Sequence, residues 1–352
     1  MSPARASKQN RGLPAHLFRV CGFLLILLVA ISVLSAGIGA VQVSPSTVAR
    51  VALNHLPFVR NAAHFPVDDL DNHIVWDMHI PRILLGALVG ISLAISGAAL
   101  QGLLLNPLAD PYMIGVSSGA AVGAGAAALL GVAVAFTPFF AFASALIAVS
   151  AVYLLSKRGR SVSILSFVLA GVVVGAFMWA ALTLILTLAP NQTLEKVVFW
   201  TMGSLAGSDP WSRVHLLVLF TLFGFLILCA FARDLNIFAL GEESATYLGL
   251  SVESLKRIII VTTTLITAAA VSVSGTIGFV GLMVPHIARR IVGPDNRILI
   301  PVSALLGAIL MIVADSVARG ATPPNEIPVG VITALIGAPF FLYLLKITDW
   351  EN

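Results

Sequence analysis

Residues 80–105 read IPRILLGALVGISLAISGAALQGLLL, an apolar run in which Arg82 is the one charged side chain. A helix rising about 1.5 Å per residue carries such a run across the ~30 Å hydrocarbon core of a bilayer. It lacks the polar face that a surface helix of a soluble protein keeps for water. Gly86, Gly90, Ala94, Ala98 and Gly102 recur at every fourth position along it. In lipid, a stripe of small residues lets helix backbones approach closely and gain dispersion contacts. The run gives way to NPLADP at 106–111, whose two prolines and Asn-Pro step form a turn that cannot continue the helix.

Runs of the same kind recur to either side. They lie near 17–41, 113–131, 136–156, 162–188, 213–232, 257–277, 279–292, 299–318 and 329–347, making ten expected spans with 80–105. Two of them carry further small-residue stripes, Gly119–Gly123–Ala127 and Gly171–Gly175. Over the whole chain 59% of residues are hydrophobic and 10% charged, with a mean hydropathy of +1.01. A soluble domain carries about 25% charged residues, so lipid must cover this one. The first run is longer than the roughly 7–15 residues of a secretory signal and is expected to be a retained span. Cys21 and Cys229 fall inside spans and read as small apolar fillers.

Lys and Arg counts orient the bundle. With the N-terminus inside, fourteen of the twenty fall on inner segments and six on outer ones, which predicts both termini in the cytoplasm. The net charge of +4 then reflects topology and gives no reason to invoke nucleic acid. The chain reads as a single membrane domain over 1–352. It has an inner tail at 1–16, a polar outer loop at 42–79 and a polar inner loop at 234–256. Residues 189–212, with Trp200 and Trp211, read as a fold-back holding a short interfacial helix.

No catalytic, cofactor or metal set emerges. None of the five lysines is followed by Ser or Thr, so no phosphate-binding P-loop is present. Asp315 is the one carboxylate placed inside a span. Ion-driven carriers usually need intramembrane ionisable groups, so a secondary transporter is disfavoured but stands as the alternative, with a channel beside it. His64, Asp68, Asp69, Asp71 and His73 read as a solvated acidic loop, and His286 as a packed, hydrogen-bonded helical residue.

What stands out instead is a polar insert between two apolar runs, GEESATYLGLSVE at 241–253. Glu242 and Glu243 occupy the first turn of a short helix, where the macrodipole favours negative charge. Gly249 suits the position just past its end. A rigid helix of this kind, lying outside the membrane, can transmit a push from a partner.

These residues bring the chain into line with a known family. It resembles the FecCD-type permeases of type II ABC importers, which move iron–siderophores, haem and cobalamin. Four ordered stretches carry the resemblance: 81–120, 241–253, SGTIGFVGLMVPHIARRIVGPDNR at 274–297, and ADSVARGATPPNEIPVGVITALIGAPFFLYLL at 314–345. The resemblance implies an all-α permease with about ten transmembrane helices, in the cytoplasmic membrane of a bacterium or archaeon. It implies a homodimer with two cytoplasmic ATPase subunits below and an external substrate-binding protein above. It implies that Gly241, Glu242, Glu243, Ala245, Leu248 and Gly249 meet the ATPase, and that Arg82 and Arg319 dock the binding protein. Asn106 and Leu108 would belong to a gate on the cytoplasmic side. The cargo it implies is a bulky chelate, Fe(III)–siderophore first, with haem or cobalamin next.

Overall fold

The computed structural model describes residues 3–39, 43–55, 65–159, 161–207, 209–322 and 325–347. Helices dominate: α1 (Pro3–Ala36), α2 (Pro45–His55), α3 (Asp69–Leu103), α4 (Val116–Leu129), α5 (Thr137–Ser156), α6 (Ile164–Leu188) and α7 (Asn191–Thr201). They continue as α8 (Pro210–Ala230), α9 (Ala232–Phe238), α10 (Glu242–Tyr247), α11 (Val252–Ser274), α12 (Val280–Val292), α13 (Asn296–Gly320) and α14 (Val329–Ile347). A two-stranded antiparallel hairpin, β1 (Lys157–Arg158) and β2 (Ser161–Val162), joins α5 to α6.

Each expected span corresponds to a helix. Among the described residues seven are long and apolar enough to cross a membrane, and α4 and the apolar part of α14 are shorter. The thirteen-residue α12 rises only about 20 Å, less than the ~30 Å of a bilayer core. The helix expected at 80 begins earlier, at Asp69, so residues 69–79 of the 42–79 loop are helical and continuous with the span. Asp69 and Asp71 in its first turn suit the positive end of the dipole. Residues Ile74–His79 take π geometry and bury Val75. His64 lies outside the described residues.

Burial separates the core from the periphery. α3 and α11 are 78% buried over their apolar windows, against 17% for α6, so the first two form the centre and α6 presents its side chains outward. The small-residue stripe of α3 meets α13 at Gly90 and Gly307. A Cβ on either would collide with the other's carbonyl oxygen. The contact between α3 and α12 is tighter still. It joins Gly97, which lies off the stripe, to the carbonyl of Gly281.

The end of α1 is fastened by side chains from far along the chain. Arg319 donates to the carbonyls of Ile38 and Ser35 and to Ser35 Oγ, the last at 2.9 Å. His79 Nδ1 reaches the Ala36 carbonyl at 2.7 Å. These donors satisfy carbonyls that a helix C-terminus leaves without partners.

Candidate functional site

One end of the bundle gathers α9, α10, the β1–β2 hairpin, the start of α11 and the start of α13. α10 is six residues long and is defined by its glycines. Gly241 enters it at φ +101° and Gly249 leaves at φ +86°, a left-handed region open to glycine. Gly249 N donates to Thr246 O (2.9 Å) and Leu250 N to Ala245 O (3.0 Å). That pair of bonds is a Schellman termination.

The two faces of α10 differ. Ala245 is fully buried against the chain itself. Its expected place at a partner contact is therefore corrected: it seats the helix and is not presented. Glu242, Glu243, Leu248 and Gly249 are exposed and Gly241 is half-buried. Tyr247, which no sequence argument singled out, is 91% exposed beside Leu248 at 64%. An exposed aromatic next to an exposed leucine is the kind of anchor that protein interfaces bury at their centre.

Beneath α10 lies a buried cation. Lys256, on the first turn and a half of α11, is 2% exposed. Its Nζ donates to Glu242 Oε1 (2.7 Å), Glu253 Oε1 (2.9 Å) and the carbonyl of Val162 (3.0 Å). Glu253 Oε2 accepts from Val162 N at 3.0 Å. One ammonium with its three donors filled thus joins α10, α11 and the hairpin into one block. Glu242 serves that block as well as facing outward.

α9 is joined to α13 in a similar way. Asn236 Nδ2 donates to Asp295 Oδ1 (2.6 Å), and its Oδ1 accepts from Asn296 N (2.9 Å). Hydrogen bonds from Arg297 hold the Asp295 carboxyl down at about 2. A carboxyl lowered on folding stabilises the fold fully above its unfolded value near 4, and that contribution fades only as pH falls toward 2. This junction therefore stays ionised throughout the physiological range.

The expected gate residues sit on the turn after α3, nearer this end. Asn106 Oδ1 accepts from Leu108 N at 2.9 Å, an Asx turn of the kind that replaces helix hydrogen bonds at a chain reversal. Leu105 before it is left-handed at φ +50°, and Leu108 is 38% exposed. Both residues are thus held on a built turn with the leucine projecting. His286, expected to be hydrogen-bonded, packs edge-on to Phe340 and has no hydrogen-bond partner among the described residues.

The opposite end holds a four-member ion cluster. Arg82 donates to Asp315 from Nε (3.1 Å) and Nη2 (2.9 Å), and to Glu326 from Nη1 and Nη2 (both 2.9 Å). Arg319 Nε lies 3.0 Å from Asp315 Oδ2, out of line for a hydrogen bond. The two arginines differ in access. Arg319 is 4% exposed and engaged with α1, so in this conformation it is not available to a partner. Arg82 is covered at the surface by Glu326, whose own side chain is 40% exposed.

The FecCD transport family description matches residues 25–346. The chain belongs to that family. It is 43% identical over 350 residues to the cobalamin import system permease of Halobacterium salinarum, spanning 91% of this chain and 94% of the relative. It is 39% identical to the Fe(3+)-citrate import system permease of Bacillus subtilis, covering 96% of each. With the hemin transport permease of Yersinia pestis it shares 37% identity, over 92% of this chain and 94% of that one. A solved structure of a metal-chelate type ABC transporter in an inward-facing conformation superposes with a TM-score of 0.83 and 32% identity, over 94% of this chain and 99% of that one.

This FecCD protein is thus an all-helical, multi-pass ABC importer permease, a transport subunit and not a catalyst. Membership also sharpens what sequence reading missed in the site. In the sequence Lys256 reads as an inner-loop charge where the next helix opens, and its partners at 162, 242 and 253 are brought together by the fold alone. Tyr247 had a visible signal, an aromatic residue in an otherwise polar insert.

Proposed function

We propose that this FecCD permease forms a homodimer that passes a bulky metal chelate inward, powered by two cytoplasmic ATPase subunits seated on α10. The observation that carries the coupling role is the exposed Tyr247–Leu248 pair on a short helix whose other face is locked down by Ala245 and Lys256. A partner pressing on such a helix moves α11 and the hairpin with it, because the Lys256 block leaves little slack. Membership of an ABC importer family supplies the partner class. The excess of Lys and Arg on this side of the bundle supports a cytoplasmic position for α10 and for both termini.

Fe(III)–siderophore is the favoured cargo, with haem and cobalamin next. The named relatives divide among cobalamin, ferric citrate and hemin at similar identities. An external binding protein would supply the affinity and the permease a weakly interacting path. Asn106 and Leu108 would close that path toward the cytoplasm.

Tyr247→Ala with Leu248→Ala tests the coupling role. Loss of two interface anchors at roughly 1–2 kcal/mol each should weaken ATPase association at least about tenfold without changing the melting temperature of the permease alone. Undiminished association would remove α10 from the interface. The rival reading, an ion-driven carrier or channel, predicts uptake into vesicles holding this chain alone; none is expected.

The ion cluster makes a second proposal concrete. A carboxylate on the binding protein can reach Arg82 only by replacing Glu326, so Glu326 competes with the partner. Glu326→Gln should therefore tighten binding-protein association several-fold, since exposed ion pairs are worth about 0.2–1 kcal/mol. Weaker association in surface plasmon resonance would show that Glu326 itself makes the contact.

A further inference from the structure

At the end of the bundle away from α10, a cavity of about 570 Å³ opens between α4, α5, α7, α8 and the end of α11. Lys196 and Arg213 line it, and no acidic side chain does. Arg213 Nη1 donates to the carbonyls of Ala206 (3.0 Å) and Val273 (3.4 Å). Its Nε and Nη2 have no acceptor among the described residues. Asp209, close in sequence, directs its oxygens to Ser212 N (3.2 Å) and Ser212 Oγ (2.6 Å) instead. Neither cation takes part in an ion pair among the described residues.

The guanidinium lies flat on Gly207, where any Cβ would strike it, so its place is set by the backbone. Asp209 attracts this partly buried cation without pairing with it, and a guanidinium's spare donors match a phosphate in pairs. The rim is of opposite character. Val134, which lines the cavity from the α4–α5 turn, is 69% exposed, and Leu130 and Phe136 on the same turn are 73% and 62% exposed. Trp200, a residue type favoured at the headgroup level, lines the same cavity. Cations lining the cavity and exposed apolar side chains on the adjoining turn suit a ligand with an anionic head and a hydrocarbon tail.

We propose that this cavity binds the phosphate of an anionic phospholipid on Arg213 and Lys196, with its acyl chains along Leu130, Val134 and Phe136. Basic pockets between transmembrane helices recognise anionic headgroups in this way. The site is separate from the coupling face and does not depend on the coupling role of α10.

Native mass spectrometry of the purified full-length permease, titrated with phosphatidylglycerol or phosphatidylcholine, tests it. The wild type should retain phosphatidylglycerol in preference. Arg213→Gln with Lys196→Gln should weaken that retention roughly tenfold, as expected for lost charge-assisted hydrogen bonds. Arg213 also holds two carbonyls, so a second variant is needed. Thr137→Glu places a carboxylate in the cavity at the first turn of α5, where negative charge suits the helix, and leaves those bonds alone. It should give the same loss with an unchanged melting temperature in lipid-free detergent. Equal retention of the two lipids by the wild type, or undiminished preference in both variants, overturns the proposal. So does inorganic phosphate that raises the melting temperature as much as phosphatidylglycerol does, with the same dependence on Arg213, because the tail would then play no part.

Discussion

Gly97→Val is expected to abolish the monodisperse gel-filtration peak of the detergent-solubilised protein. At this position α3 and α12 touch backbone to backbone, and an added Cβ lands on the carbonyl of Gly281. Overpacking in a core of flexible side chains costs about 1–3 kcal/mol. Here neither side of the contact can rotate away, so the helices must part. Parting them also pulls on Gln101, which donates to the carbonyl of Leu282 (3.3 Å) across the same seam. A fold stable by about 5–15 kcal/mol does not survive separation of a central helix pair. Gly22→Val is the matched control: nothing lies within 4 Å of a Cβ there, so that variant should elute as the wild type does. A normal peak for Gly97→Val would mean that α12 can withdraw from α3 at little expense.

Lys256→Met should leave a folded permease that no longer converts ATP hydrolysis into uptake. The substitution keeps the side chain's length and apolar stem but removes all three donors to Val162, Glu242 and Glu253. Removing one partner of a fully buried ion pair costs about 3–5 kcal/mol. The cost is smaller here, because Glu242 and Glu253 are 50% and 34% exposed at their side chains and can turn to water. The larger effect is mechanical: α10 loses its tie to α11 and the hairpin. Transport per ATP in proteoliposomes with the ATPase should fall roughly tenfold, a barrier change of about 1.4 kcal/mol, while ATPase association persists. Lys256→Arg, which keeps the charge but not the compact geometry, should fall between. If transport per ATP is unchanged in Lys256→Met, the block is a structural brace with no part in coupling.

Long-range features decided what could be read from the sequence and what could not. Apolar length and the four-residue stripe on α3 are local signals, so the membrane class and a close helix contact along that stripe were legible, though not that α13 makes it at Gly90. The closest contact was not, because Gly97 stands off the stripe and meets Gly281, far along the chain. Gly249 announced the end of α10 through its left-handed requirement. A helix of six residues has less than two turns, too few for its buried face to show, and so Ala245 was misplaced on the outside. Asp315 and Arg319 were visible as an i,i+4 pair. That Arg82 enters the same cluster from 233 positions away, and that Glu326 covers Arg82 and not Arg319, depends on tertiary structure.

The fastening of α1 bears on how the protein is made. Ser35 is joined to Arg319 across 284 positions, and α1 packs mainly along α13. α1 therefore gains its largest packing partner only once α13 has been synthesised, although α2 and α3 reach it earlier. Until then it must wait in lipid, held by its own hydrophobicity or by an insertase. A chain interrupted before Asn296 would leave α1 short of that partner, with the Ser35 and Ile38 carbonyls that Arg319 caps still open.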